Sequence, residues 1–171
     1  MDFTVDKMKN QDWDEVASIY REGIATGNAT FETEVPKWEK WDNNHLRDCR
    51  LVAKSKGQVI GWAALSPFSW KRFYAGIAEV SLYVTSSVRG IGVGKALLNA
   101  LIEESERAGI WTLQGMIFRE NLTSLALCKK CGFREVGHRE RISRINGVWR
   151  DVILMERRSK VVGINEKGES K

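Results

Sequence analysis

The sequence predicts an α/β fold, with one domain built on a single mixed, mostly antiparallel sheet of about seven strands and helices on both faces. Three observations support this. The 171 residues suit one domain. Strand-type and helix-type segments follow one another as β-α-α-β-β-β-α-β-α-β-β, without the strict alternation of a doubly wound parallel sheet. Lys56-Gly57 and Asn146-Gly147 each separate two strand-like segments, as hairpin turns do.

Each element of the first half is predicted from periodicity and from capping residues. Alternating polar and apolar residues indicate the first strand. Apolar residues at helical spacing indicate the first helix, and Asp12 before them is a suitable N-cap. Pro36 suits the first turn of a second helix that carries Trp38 and Trp41. In chain order the segments are strand 3–8, helix 11–25, loop 26–36, the helix from Pro36, strands 50–55 and 58–68, and loop 69–76.

The second half is predicted in the same way. Strand 77–85 carries Ala78, Val80, Leu82 and Val84 on one face and Glu79, Ser81 and Tyr83 on the other. An amphipathic helix follows and ends at Gly109, and a shorter helix is stopped by Gly132. The segments are strand 77–85, helix 93–109, strand 111–118, helix 121–130, and strands 133–145 and 148–157. We expect one domain over residues 1–158 and a polar, frayed tail over 159–171.

Composition and charge narrow the class of protein. Hydrophobic residues make up 43% and charged residues 29%, as in ordinary globular proteins. No apolar run approaches the roughly 20 residues that span a bilayer, and the N-terminus is too polar for a signal peptide. We therefore expect a cytoplasmic protein without membrane contact. The net charge is +5, and residues 129–150 hold a local excess of five positive charges. This excess favours a solvated strand face or a surface for a phosphorylated cofactor, and no motif supports nucleic acid binding.

The three cysteines do not form a recognisable framework. An odd number of cysteines, with no export signal, argues against disulfides. Cys128 and Cys131 have C-x-x-C spacing, and His45 and Cys49 lie four residues apart, so a zinc site is an alternative. A single C-x-x-C is a weak signal, and we expect buried thiols and no metal.

Residues 89–95, "RGIGVGK", are the strongest local signal. Three glycines alternate between an arginine and a lysine at the junction of a strand and a helix. Free amides at a helix start attract anions, and glycine lets the backbone approach a pyrophosphate closely. The spacing fits neither the P-loop nor the G-x-G-x-x-G dinucleotide pattern. The stretch therefore predicts a phosphate-binding loop of another kind.

Four segments resemble those of the GNAT acetyltransferases, and in particular the phosphinothricin acetyltransferase group. "RGIGVGKALL" after "SLYV" is similar to the pyrophosphate loop for acetyl-CoA, and "NLTSLALCKKCGF" (121–133) is similar to the N-x-x-S-x-x-L segment. "NGVWRDVILME" (146–156) and "ATFETEVP" (29–36) are similar to the ending and the substrate loop of the group. The resemblance spans residues 3–158 and implies a single GNAT-like domain that transfers acetyl from acetyl-CoA to an amine.

The resemblance also implies the roles of particular residues. Glu79 would be the general base that deprotonates the ammonium group of the acceptor. The backbone of Leu82, Tyr83 and Val84 would bind the pantetheine arm. The remaining cofactor contacts would come from Arg89, Gly90, Ile91, Gly92, Val93, Gly94, Lys95, Ala96, Asn121 and Ser124. Asn121 is equally suited to be a helix N-cap. The position where many relatives carry a Tyr or His acid is Cys128 here, which leaves the general acid open.

For the acceptor, the resemblance points to Phe31 and Glu32 in one loop and to Arg72 and Tyr74 in another. Arg72 would pair with an acidic group of the acceptor, although a solvated loop cation is the alternative. "PFSWKR" has Ser69 where the related pattern has a first arginine. The expected acceptor is an amino-acid analogue of the phosphinothricin, methionine sulfone or methionine sulfoximine type, and Ser69 leaves open whether phosphinothricin itself is accepted. The related enzymes are usually homodimers.

Two rival functions stay open at this point. A protein of the same fold could sense acyl-CoA without catalysis, and the presence of Glu79 argues against this. An acetyltransferase could instead act on a protein N-terminus or a lysine. The loop 29–36, which is typical of a closed small-molecule pocket, argues against the second rival.

Overall fold

The computed structural model describes residues 1–165, which form seven strands and four helices. In chain order they are β1 (Thr4–Lys7), α1 (Trp13–Ala25), α2 (Trp38–Asn44), β2 (Arg50–Ser55), β3 (Gln58–Pro67), β4 (Ile77–Val84), α3 (Val93–Arg107), β5 (Thr112–Phe118), α4 (Leu122–Lys130), β6 (Arg134–Ile145) and β7 (Val148–Arg158). Three 3₁₀ turns precede α1, β4 and α3. The element order is the one predicted from the sequence.

The strands form one seven-stranded sheet in the order β1-β2-β3-β4-β5-β7-β6. Neighbouring strands are antiparallel except β4 and β5, which are parallel. The prediction of a mixed, mostly antiparallel sheet is therefore confirmed. A parallel pair needs a crossover connection, and α3 provides it between β4 and β5.

Helices cover both faces of the sheet, as predicted. On β3, Trp62 and Ala64 face a cluster built on Val16 of α1 and Trp41 of α2. Residues Ala63 and Leu65 point the other way, into the larger cluster around α3 and α4. The two-residue period of the strand thus assigns α1 and α2 to one face and α3 and α4 to the other.

The parallel pair β4–β5 is short, and this shapes the centre of the molecule. Within residues 1–165 only three register pairs join the two strands, from Ile77↔Thr112 to Glu79↔Gln114. Both strands continue beyond these pairs, β4 to Val84 and β5 to Phe118. The sheet is therefore open between the second half of β4 and the second half of β5.

The chain after β7 packs on the domain. Ser159 is 5% exposed, its amide donates to Trp111 O at 2.8 Å, and its hydroxyl donates to Glu106 Oε1 at 2.9 Å. Ser159 at the start of the expected tail is thus in contact with the domain, and the domain boundary at residue 158 stays a prediction. The remainder of that prediction, residues 166–171, lies outside the described residues.

The three cysteines are free and buried. Among residues 1–165, no group of three or more His, Cys, Asp or Glu side chains is placed to hold a metal ion. The alternative zinc site from His45, Cys49, Cys128 and Cys131 is therefore not assembled. In the same part of the chain, none of the helices has the length and apolar character needed to cross a membrane.

Candidate active site

A cavity of about 500 Å³ lies at the opening between β4 and β5. Tyr20 and Tyr83 line it from the α1–α2 face, and Leu98 and Cys128 line it from the α3–α4 face. Because side chains from both faces reach the same space, the cavity passes through the sheet. Two different molecules entering from opposite faces can therefore meet inside it.

Glu79 lies where the strands begin to diverge. Its half-buried side chain lines the cavity on the α1–α2 face, and one carboxylate oxygen accepts a hydrogen bond from Gln114 Nε2 at 2.9 Å. The contact follows from the parallel register, which sets Glu79 beside Gln114. Gln114 was not predicted as a site residue, because this register exists only in the folded sheet.

His45 is a second side chain that sequence reasoning did not place in this site. It lines the cavity just after α2, and its Nδ1 lies 2.7 Å from Trp41 O. Since a carbonyl oxygen can only accept, Nδ1 carries the proton, and the neutral ring has a free lone pair on Nε2. Burial, together with the nearby Arg50 cation, lowers the pKa of His45 below its ordinary value.

Two tyrosines close the α1–α2 side of the cavity. The ring of Tyr83 lies 4.8 Å from that of Tyr20 and stacks on Trp62 at 4.9 Å. Burial raises the pKa of both Tyr20 and Tyr83, so both hydroxyls stay protonated at neutral pH. An added Cβ at Gly23 of α1 would lie 2.4 Å from the Tyr83 ring, so this glycine makes room for the aromatic wall.

The backbone of β4 presents unpaired groups to the opening. Thr85 N donates to Ile60 O at 3.0 Å and Phe68 N donates to Ile77 O at 3.1 Å, which sets the phase of the β3–β4 ladder. Alternation along an antiparallel strand then directs the amides and carbonyls of Leu82 and Val84 toward the open side. The backbone groups of Tyr83 face β3, and its side chain lines the cavity.

The glycine loop has the geometry of a helix start that can receive an anion. Gly90 and Gly92 have φ angles of 84° and 94°, which only glycine adopts readily. Gly92 is the N-cap of α3, no side chain caps this end, and the amide of Ala96 donates to Gly92 O. The amides of residues 93–95 therefore have no intrahelical acceptor, as at any helix start.

The other loop residues divide into two groups. Arg89, Ile91 and Lys95 are exposed, so both cations are available to an anion in front of the helix. Val93 is buried in the core at 1% exposure, and only its backbone can face a ligand. A Cβ at Gly94 would lie 3.3 Å from a methyl group of Leu127, so this glycine allows α3 and α4 to approach closely.

Asn121 is the N-cap of α4. Its Oδ1 accepts from Ser124 N at 3.2 Å, and its Nδ2 donates to Asn28 O at 3.1 Å. The structure shows the capping role, and the cofactor-binding role implied by the resemblance is compatible with it and stays a prediction. Asn121 and Ser124 both also line the cavity.

Cys128 lines the cavity from α4. Burial raises the pKa of its thiol to about 11. The group is thus protonated at neutral pH, a hydrogen-bond donor and not a nucleophile.

The four predicted acceptor residues are not brought together. Phe31 and Glu32 line the cavity, and the Phe31 ring packs edge-on against Phe118 at 4.7 Å. Arg72 and Tyr74 lie in an exposed 3₁₀ turn before β4 and are not among the lining residues. The lining residues described include two carboxylates, Glu32 and Glu79, and no Lys or Arg.

Comparison with known families agrees with this architecture. Residues 13–133 match the acetyltransferase (GNAT) family. The match covers more than half of the chain, and the chain belongs to this family. It is a GNAT acetyltransferase.

Individual relatives indicate the subgroup. Phosphinothricin N-acetyltransferase of Alcaligenes faecalis is 31% identical over 90% of this chain and 81% of its own length. The L-methionine sulfoximine/L-methionine sulfone acetyltransferase of Pseudomonas aeruginosa is 26% identical over 82% of this chain and 86% of its own length.

Solved structures show the same fold. A phosphinothricin acetyltransferase from Sinorhizobium meliloti in complex with AcCoA has a TM-score of 0.85, 27% identity and coverage of 98% of this chain and 95% of its own. A ribosomal-protein-alanine N-acetyltransferase from Brucella melitensis also has a TM-score of 0.85, with 30% identity and coverage of 91% of this chain and 99% of its own.

Proposed function

We propose that this acetyltransferase transfers the acetyl group of acetyl-CoA to the α-amino group of a small amino-acid-like acceptor. The observation that carries the proposal is the cavity through the sheet, with Glu79 on one face and the glycine loop near the other. The cofactor enters from the α3–α4 side and the acceptor from the α1–α2 side. The curated relatives act on phosphinothricin or on methionine sulfoximine and sulfone, which supports this acceptor class.

The residues present fit acetyl-CoA. The open side of β4 offers the backbone groups of Leu82 and Val84 to the amides of a pantetheine arm, as a strand edge does. The amides at the start of α3, with Arg89 and Lys95, offer positive charge to a pyrophosphate. The loop glycines keep side chains away from the same space, since nothing lies within 4 Å of a Cβ built at Gly90 or Gly92.

The chemistry follows from the two faces of the cavity. Acetyl-CoA, when bound, would supply the acetyl group as a thioester, whose carbonyl carbon the amine attacks as the C–S bond breaks and the CoA thiolate leaves. Glu79 receives the proton of the acceptor ammonium, directly or through one water, and Gln114 holds the carboxylate in place. The amides on the open edge of β4 stabilise negative charge that develops on an acyl oxygen. Cys128 retains its proton and is a donor on the α4 side.

The charge of the cavity bears on the acceptor. Glu32 and Glu79 favour an ammonium group, while the described lining residues provide no cation for an acidic group. Arg72 lies in the loop joining β3 to β4 and is exposed. Phe31 and Glu32, which line the cavity, together with Arg72 and Tyr74 remain the acceptor-binding residues of this proposal, as the resemblance implies.

The test is an acetylation assay that follows release of free thiol from acetyl-CoA. Acceptors would be phosphinothricin, methionine sulfoximine, methionine sulfone, ordinary amino acids and a peptide that begins with alanine. We expect the amino-acid analogues to have the highest kcat/KM. Acetylation of the peptide alone would favour the protein N-terminus, and acetyl-CoA binding without any transfer would favour the sensor.

We also propose that the protein is a cytoplasmic homodimer. Exposed aromatic residues support a contact surface, since Trp70 is 86% exposed and Phe73 is 67% exposed. Sedimentation equilibrium would give twice the 19.5 kDa chain mass, and a single-chain mass at micromolar concentration would contradict the dimer.

A further inference from the structure

Arg150 of β7 makes an unusual set of contacts for a strand residue. Its guanidinium donates to Gly27 O at 2.9 Å, to Asn28 Oδ1 at 2.8 Å and to Glu120 Oε2 at 3.1 Å. It also lies over the ring of Phe118, 4.3 Å from the centroid. Only 16% of its side chain is exposed, so these are well-shielded, charge-assisted contacts.

Two of these contacts reach the loop between α1 and α2, residues 26–37. The same loop is held at a third point, because Asn121 Nδ2 donates to Asn28 O at 3.1 Å. Further along the loop, Phe31 packs against Phe118, the ring that Arg150 covers. Strand β7, the end of β5 and the start of α4 thus all contact one short stretch of this loop.

The loop contributes directly to the cavity. Ala29, Thr30, Phe31 and Glu32 all line it, whereas Arg150 does not. Phe31 and Glu32 follow Asn28 closely in the chain, and Arg150 and Asn121 hold Gly27 and Asn28 in place. The positions of Phe31 and Glu32 therefore depend on the hydrogen bonds that hold Gly27 and Asn28.

We propose that Arg150 is a positioning residue. Its hydrogen bonds to Gly27 and Asn28, called the clasp below, hold the loop 26–37 against the cavity and thereby set the affinity for the acceptor. A guanidinium spans Gly27 O and Asn28 Oδ1 with separate nitrogens, which a lysine ammonium cannot reproduce. The part of this inference that concerns acceptor affinity rests on the proposed function. The clasp itself does not.

The clasp is tested without catalysis by limited proteolysis with a glutamate-specific protease. Glu32 and Glu34 lie in the loop, and Glu103 lies within α3, where cleavage requires the helix to unfold. In Arg150→Gln we expect loop cleavage to be at least about tenfold faster, as for any segment that loses stabilising contacts, with cleavage at Glu103 unchanged. Arg150→Lys should be intermediate, and Arg144→Gln, an exposed arginine on β6, should behave as the wild type.

The consequence for acceptor binding is tested by kinetics of the same variants. Arg150→Gln should raise the KM for the acceptor about tenfold, the lower range for loss of a charge-assisted contact, and leave the KM for acetyl-CoA unchanged. Equal cleavage of the loop in wild type and Arg150→Gln, or equal acceleration at Glu103, would overturn the clasp. If even the wild type transfers no acetyl group, the proposed function fails while the protease result still decides the role of Arg150.

Discussion

Glu79 obtains its surroundings from three different strands. Its own strand sets its side chain on the α1–α2 face, β3 places Ser66 beside it, and β5 supplies the Gln114 donor. All three side chains share one face of the sheet, because neighbouring strands in register alternate together. A carboxylate that would be an ordinary polar strand residue thereby becomes part of a cavity wall.

Replacing Glu79 by Gln should lower kcat by about 10²–10⁴-fold at neutral pH, the usual contribution of a general base. The amide keeps the shape of the side chain and can still accept from Gln114. Acetyl-CoA affinity, measured by calorimetry, should be unchanged. Glu156→Gln is the control. Glu156 lies opposite Gln114 on the neighbouring strand β7, and its carboxylate forms an ion pair with Arg134 outside the cavity. Near-normal kcat in Glu79→Gln would show that the carboxylate is not the base.

The role of Arg72 in acceptor binding can be distinguished from that of Lys71, its neighbour in the same loop. Arg72→Ala should raise the KM for an acidic acceptor by roughly 10–100-fold, since a charge-assisted hydrogen bond contributes about 1.5–3 kcal/mol. The KM for acetyl-CoA should stay the same. Lys71→Ala removes an adjacent exposed cation and should change neither constant. Equal effects of the two substitutions would mean that Arg72 contributes only general positive charge.

His45 makes stability depend on pH. Burial lowers the pKa of His45 in the folded state below its ordinary value of 6.5, so the unfolded chain binds the proton more tightly. The contribution of His45 to the free energy of unfolding is therefore fully present above pH 6.5. It falls as the pH drops below this value, by at most about 1.4 kcal/mol per pH unit for one group. Urea unfolding at pH 7.5 and 5.5 should show this loss.

The variant His45→Gln should reduce this pH dependence. His138→Gln is the matched control, because the chain has two histidines and His138 is exposed. The same pH dependence in wild type and His45→Gln would contradict the assignment.

At the scale of elements, the loop before α3 and the start of that helix act as one unit. Positive φ angles at Gly90 and Gly92 turn the chain into the helix, and Val88 and Val93 anchor the loop in the core. A valine at Gly92 would be strained by the backbone alone, so that substitution does not isolate phosphate binding. The two exposed cations give a cleaner experiment.

Changing Arg89 and Lys95 together to Gln should weaken acetyl-CoA binding about tenfold per charge in low salt, as charge-assisted contacts to phosphate are lost. The difference from wild type should shrink at high salt, because screening shortens the range of both charges. Calorimetry in both buffers measures this. Arg107→Gln, at the other end of α3, is the control. Unchanged affinity in the double variant would exclude the loop as the pyrophosphate site.

At the scale of the whole molecule, the cavity interrupts the centre of the sheet. Helices α1 and α2 on one face and α3 and α4 on the other are packed in separate clusters. Along the sheet, few register pairs between β4 and β5 join the half formed by β1–β4 to the half formed by β5, β7 and β6. A ligand that fills the opening contacts both halves. Its binding energy therefore adds to the stability of the entire fold.

Acetyl-CoA at about 100 times its Kd should stabilise the folded state by about 2.7 kcal/mol. For a chain of this size that corresponds to a rise in Tm of roughly 5–10 °C. Differential scanning calorimetry with acetyl-CoA measures the shift, and adenosine alone, which lacks the pantetheine arm and the pyrophosphate, should give little. Equal shifts with both would place binding outside the opening.

The fold could be predicted from the sequence because its signals are local. The two-residue period of β4, the helical spacing in α3 and the turn at Asn146-Gly147 depend on neighbours in the chain. The glycine loop could be found for the same reason, since a strand end, three glycines and a helix start are contiguous.

What only the tertiary structure decided are the contacts between distant segments. Gln114 meets Glu79 through a parallel register, His45 enters the cavity at the end of α2, and Arg150 reaches Gly27 from the far end of the chain. Arg72, in contrast, stays outside the cavity lining. No local pattern encodes these positions, because they depend on strand order and on where β4 and β5 separate. The sequence by itself determined the elements and the loop for an anion, and the packing of the sheet determined which side chains share the cavity.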